Sequence, residues 1–133
     1  MWNSATFSSL VQSQTSWKLE TKGDCLELTN EDGLSAYLYG GEQQILVETA
    51  LFRTSSVSDV AALNDLILRS HHLVPLSTVS IKKIGDEDYY VAFGALSTES
   101  QASHVLEEVA TLFENTGEFL ELYGEYLKDE DAA

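Results

Sequence analysis

The chain holds 133 residues, the size of one domain, and a chain of that length buries roughly two-thirds of its unfolded surface without disulfide bonds. Its 22 Asp+Glu against 7 Lys+Arg give a formal charge of −15 and a pI near 4.2. That field repels phosphate backbones and anionic membrane surfaces, which excludes ordinary nucleic-acid binding.

Hydrophobic residues make up 44% of the chain, which argues against disorder. The single cysteine excludes an internal disulfide framework and fits a reducing compartment. No apolar run approaches the roughly 18 residues of a membrane span. The opening Met1-Trp2-Asn3-Ser4 lacks a basic segment followed by an apolar one. A cytoplasmic single domain over residues 1–133 is therefore expected, with a frayed acidic tail from about residue 128.

Asn3 or Ser4 is placed to cap a first helix whose apolar side carries Phe7, Leu10 and Val11. Trp17 to Glu20 starts extended chain and Lys22-Gly23-Asp24 is a bend. Cys25 to Thr29 alternates, with Leu26 and Leu28 facing inward. After the turn Asn30-Glu31-Asp32-Gly33, a second alternation sets Leu34, Ala36 and Leu38 against Ser35, Tyr37 and Tyr39. Gly40-Gly41 supplies the next turn through positive φ, and Gln44 to Phe52 is a third strand. Three strands on short turns form an antiparallel meander.

Ser58-Asp59 opens a second helix with Val60, Leu63, Ile67 and Val74 along one stripe and Leu66 and Leu73 beside it; Pro75 ends it. Thr78 to Ile84 and Asp88 to Leu96 make a hairpin around Gly85-Asp86-Glu87. Thr98-Glu99-Ser100-Gln101 has the capping-box pattern for a long third helix, weakened at Gly117 and Gly124. The predicted architecture is α+β: an antiparallel five-stranded sheet with three helices in the order αβββαββα.

Little of this sequence reads as catalytic chemistry. His71-His72 point about 100° apart on a helix and have no ligand four positions away, so a helix C-terminus explains them better than a metal. His104 with Glu107 or Glu108 has usable spacing, but such pairs usually lie on a solvated face. Asp24 and Glu27 flank Cys25 and disfavour a thiolate. Gly40-Gly41 lacks the Lys-Ser/Thr of a phosphate loop, and Asn30–Gly33 and Gly85–Asp88 lack the remaining ligands of a calcium loop. No catalytic residue, metal or cofactor is expected.

Binding is more legible. From Thr98 to Ala133 there are ten acids and one base, Lys128. The apolar arc of that helix widens at Phe119, Leu120, Leu122, Tyr123, Tyr126 and Leu127 beyond what a small domain is expected to cover alone. Self-association or a basic partner steered by the acidic rim would cover it. If the helices cover one sheet face, Tyr37 and Tyr39 project from the other, joined by Tyr89 or Tyr90. The candidate contact residues are Tyr37, Tyr39, Tyr90, Phe119, Tyr123 and Tyr126.

The stretches PLSTVSI (Pro75 to Ile81), DYYVAFGALSTES (Asp88 to Ser100) and GEQQILVE (Gly41 to Glu48) resemble the YjfI-like family of uncharacterised bacterial proteins. That family brings no catalytic residues. Its members are often encoded beside PspA-like phage-shock proteins, which implies an envelope-stress partner. The element order, size and acidic last helix are also similar to the type III secretion chaperones, homodimers that hold extended segments of partner proteins without nucleotide or metal. The expected function is non-enzymatic protein binding by a homodimeric adaptor or chaperone-like protein. The alternatives are a secretion chaperone for one client, a small enzyme using carboxylates in a cleft, and a nucleic-acid mimic.

Overall fold

The computed structural model describes residues 2–14, 16–74 and 76–128. Helix α1 (Ser4–Gln14) precedes β1 (Lys18–Lys22), β2 (Cys25–Thr29), β3 (Ser35–Gly40) and β4 (Gln44–Arg53). Then come α2 (Val60–Ser70), the hairpin β5 (Thr78–Ile84) and β6 (Glu87–Ser97), and α3 (Ala102–Tyr123). Short 3-10 turns lie at Thr54–Ser56, His71–Leu73 and Gly124–Tyr126. All strand pairs are antiparallel, in the order β1-β2-β3-β4-β6-β5.

The α+β class, three helices and antiparallel sheet agree with the sequence reading; the strand count does not. The sheet has six strands because Lys18–Lys22 pairs along its whole length with β2. Three of its five residues are charged and four are exposed, so it carries almost no apolar alternation to read. Its turn holds two residues, Gly23 and Asp24, and Gly23 takes the left-handed φ of 62° that favours glycine. Gly40 and Gly41 are not in that region. Gly40 ends β3 with the backbone carbonyl of Trp2 so close that no Cβ fits, so its role is close approach.

Capping follows local chemistry. Asn3 and Thr6 exchange bonds at the start of α1: Thr6 N–H donates to Asn3 Oδ1 at 3.0 Å and Asn3 N–H to Thr6 Oγ1 at 2.8 Å. Asp59 Oδ1 accepts from Ala62 N–H at 3.1 Å and starts α2. The expected capping box of α3 does not form: β6 runs on to Ser97, and the N-cap is Gln101, with no side-chain bond. Gly117 leaves α3 unbroken, and the helix stops at Gly124. Pro75, expected to end α2, lies outside the described residues, as does the acidic stretch after Lys128.

One core joins the three helices to one face of the sheet. Phe7 and Val11 of α1, Leu63 and Ile67 of α2, and Val105, Val109 and Leu112 of α3 meet Leu26, Leu28, Ala36, Leu38, Ile45, Val47 and Ala92. Each of the Val, Leu, Ile and Phe side chains among them contributes about 1.5–3 kcal/mol relative to exposure. Beyond the sheet, Asn115 donates to Ser77 Oγ at 2.9 Å and ties α3 to the chain entering β5.

Candidate protein-interaction surface

Among the described residues every helix lies on one side, and none covers the other face of the sheet. Register puts Glu27 opposite Tyr37, Tyr37 opposite Glu48, Tyr39 opposite Leu46 and Glu48 opposite Phe93 on that face. Tyr37 and Tyr39 are half-buried there, as are Leu46 and Phe93. Two polar chains run across it. Tyr37 Oη donates to Glu27 Oε2 at 3.0 Å, and Lys22 Nζ lies 3.1 Å from Glu27 Oε1. Lys82 reaches from β5 to Glu48, beside Tyr39.

The ionisation of these groups follows their partners. Hydrogen bonds from Lys22 and then Tyr37 hold the Glu27 carboxyl below the usual range. Glu27 in turn raises Lys22, and the bond to Glu48 raises Lys82. Burial raises both tyrosines, helped by the bond to Glu27 at Tyr37 and by the charge of Glu48 at Tyr39. Each tyrosine therefore stays a neutral phenol, held in place by strand backbone and neighbouring charges.

The other sequence-nominated residues fare differently. Tyr90 is 1% exposed and turned toward the helices, its hydroxyl donating to Asn64 Oδ1 of α2 at 2.6 Å and its ring 5.4 Å from Phe52. Tyr89, half-buried, takes the uncovered face in its place. Phe119 and Tyr123 are core residues, 2% and 1% exposed, with rings stacked at 5.6 Å; burial pushes the Tyr123 hydroxyl up to about 12. The chain covers most of this arc itself, leaving Leu122 exposed. Ser58 N–H donates to Tyr126 C=O at 2.9 Å, Lys128 N–H to Ser56 C=O at 2.8 Å, and Val57 bridges Leu127. Tyr126 is half-buried at that seam and lies apart from the sheet tyrosines.

Among the described residues no three His, Cys, Asp or Glu side chains gather into a metal cage. His71 Nε2 accepts from Val79 N–H at 3.4 Å, and Cys25 is a half-buried thiol on the uncovered face. An open cleft of about 590 Å³ has Val74, Phe119 and Leu122 among its walls, with Glu118, Glu121 and Glu125 beside them. No helix among the described residues is long and apolar enough to cross a membrane.

The sequence sets Glu108 beside His104 on a solvated face; the structure leaves His104 and Glu107 exposed but buries Glu108. It is 4% exposed and lies against β6 at Gly94, where an added Cβ would sit 2.6 Å from Glu108 Oε1. Burial, and then the charge of Glu107, raise its pKa. A glycine inside a strand is the signal that could have found it, since it marks a close approach.

These features place the chain in a known class. It belongs to the DUF2170 family of uncharacterized proteins conserved in bacteria, whose model matches residues 3–127. It is 26% identical over 129 residues to the uncharacterized protein YjfI of Escherichia coli K12, and equally to that of strain O157:H7, covering 94% of this chain and 97% of each relative. Two crystal structures share its fold. The candidate transcription regulator YbjN of E. coli superposes with a TM-score of 0.72 at 18% identity, over 92% of this chain and 93% of that one. The Yersinia pestis type III secretion chaperone SycH, solved with a fragment of YscM2, gives 0.57 at 15%, over 85% and 95%.

Proposed function

We propose that this protein is a non-enzymatic adaptor or chaperone-like protein that holds a segment of a partner against the uncovered face of its sheet. The observation that carries this reading is the placement of all three helices on one side, which leaves Tyr37, Tyr39, Leu46 and Phe93 on the other. Tyrosines fixed by strand backbone bury much area at little entropic cost and keep a polar tip for the partner. The charge of −15 draws basic segments and repels acidic ones. SycH, with a related fold, was solved in complex with a protein fragment, which supports a protein partner here. The two carboxylates with shifted pKa, Glu27 and Glu108, lie on opposite sides of the sheet, which weighs against a carboxylate-pair enzyme.

Affinity capture from a bacterial lysate, eluted by a salt step, tests this. One dominant protein released by salt is expected with the natural chain and is lost with Tyr37→Ser/Tyr39→Ser. A PspA-like protein is the first client to look for. Identical, salt-insensitive profiles from both proteins would count against the reading.

A further inference from the structure

α3 is tied down at two places and weaker between them. Just before it, Trp2 Nε1–H donates to Ser100 C=O at 3.1 Å, with the Trp2 ring stacked on Phe7. Past its middle, Asn115 Nδ2–H donates to Ser77 Oγ at 2.9 Å, and Phe119 and Tyr123 sit in the core. The first turns lack such support. Gln101, the N-cap, gives no side-chain bond to the free N–H groups of the helix start. Thr116 Oγ1 donates to Leu112 C=O at 2.7 Å, a bond within the helix that favours bending, and Gly117 follows it.

This weaker stretch carries a buried acid. Glu108 is 4% exposed, and its carboxyl occupies the space a Cβ at Gly94 of β6 would need. Among the described residues it has neither a hydrogen-bond donor nor a counter-ion. The charged and titratable groups of the elements packed on it lie elsewhere. On α3, Glu107 repels it, and His104, one turn back, is exposed. On β6, Glu87, Asp88, Tyr89 and Tyr90 stand at the far end, and Tyr90 is committed to Asn64. On β4, Glu48 lies on the other face with Lys82, and Arg53 pairs with Glu87. A buried carboxyl without a partner is tolerated when protonated and costly once ionised.

We propose that Glu108 is a proton-operated latch on α3. With the proton on its carboxyl, residues 102–112 seat on β6; once that proton passes to solvent, they lift away between the ties at Ser100 and Asn115. Lifting exposes Glu108 to water, where it ionises in the ordinary carboxylate range, whereas burial raises it in the seated form. The seated form therefore holds the proton more tightly. The lifted population rises by up to about tenfold per pH unit between those two values and levels off above the higher. Lifting also uncovers Val105, Val109 and Leu112, which are 0% exposed when seated. The latch works on the covered side of the sheet, so it stands or falls separately from the client reading.

Amide hydrogen exchange, read as protection factors at about pH 5 and pH 8, tests it. Protection over residues 102–112 is expected to fall about tenfold or more at the higher pH, while residues 115–123 and β4 keep theirs. In Glu108→Gln the fall is expected to vanish, and Glu108→Leu serves if that variant does not fold. His104→Gln, which removes the nearby imidazole, is expected to keep it. Equal protection at both pH values in the natural chain would overturn the proposal. So would a fall that survives in Glu108→Gln, a fall lost in His104→Gln, or one shared equally by residues 115–123, which would be unfolding of the whole chain.

Discussion

The two faces of the sheet are built from one alternating pattern and meet opposite fates. On β3, Ala36 and Leu38 are 0% exposed beneath the helices, while Tyr37 and Tyr39 on the other face remain half-exposed. The covered side is held by apolar packing, and the uncovered side by bonds from lysine and tyrosine to Glu27 and Glu48. Apolar packing therefore resides in one face, and the proposed binding in the other.

Substitutions on the two sides should separate sharply. Phe119→Ala is expected to cost about 3–5 kcal/mol in denaturant unfolding, as for a buried aromatic. A cost below about 1 kcal/mol would return that ring to the surface. Gly94→Ala forces Glu108 to shift within a buried site and is expected to cost about 1–3 kcal/mol. A double-mutant cycle with Glu108→Ala should recover part of that loss, and strict additivity would break the contact.

The faces should also respond to acid in opposite directions. Glu27, held low, stabilises the fold above the ordinary carboxylate range, and that contribution disappears as pH falls through its folded pKa. Glu108, held high, penalises the fold once ionised; the penalty is absent below its unfolded pKa and grows as pH rises through its folded one. Glu108→Gln should thus stabilise at neutral pH with the gain fading on acidification, and Glu27→Gln should destabilise at neutral pH with the loss fading at lower pH. Unfolding curves from pH 3 to 8 check both signs.

Smaller effects sharpen the same contrast. Leu76 holds a left-handed φ of 68° while exposed, so Leu76→Gly is expected to gain about 1 kcal/mol. Tyr37→Phe removes one exposed-face hydrogen bond and should cost less than about 1 kcal/mol.

The core face was legible in the sequence wherever apolar and polar residues alternated, as in Cys25 to Thr29 and Leu34 to Tyr39. It was illegible where they did not. Tyr89 to Phe93 is apolar at every position, so no alternation says which tyrosine turns inward, and a register shift between Ala50 and Phe52 in β4 hides the parity further. β1 was read only as extended chain and not counted as a strand, because three of its five residues are charged and four are exposed, which leaves no apolar alternation. The broad apolar arc of α3 looked like an interface because its cover, Ser56 to Ser58, is some 70 residues away in sequence. Sequence periodicity reports how much surface a helix must bury, not which segment buries it.

The most direct test of the client-binding reading pairs two measurements on one variant, Tyr37→Ser/Tyr39→Ser: its unfolding midpoint and its capture profile. A midpoint near that of the natural chain, with the salt-released partner lost, is expected. A full partner band on a folded variant would contradict a binding role for the uncovered face, and loss of the fold would place the two tyrosines in the core.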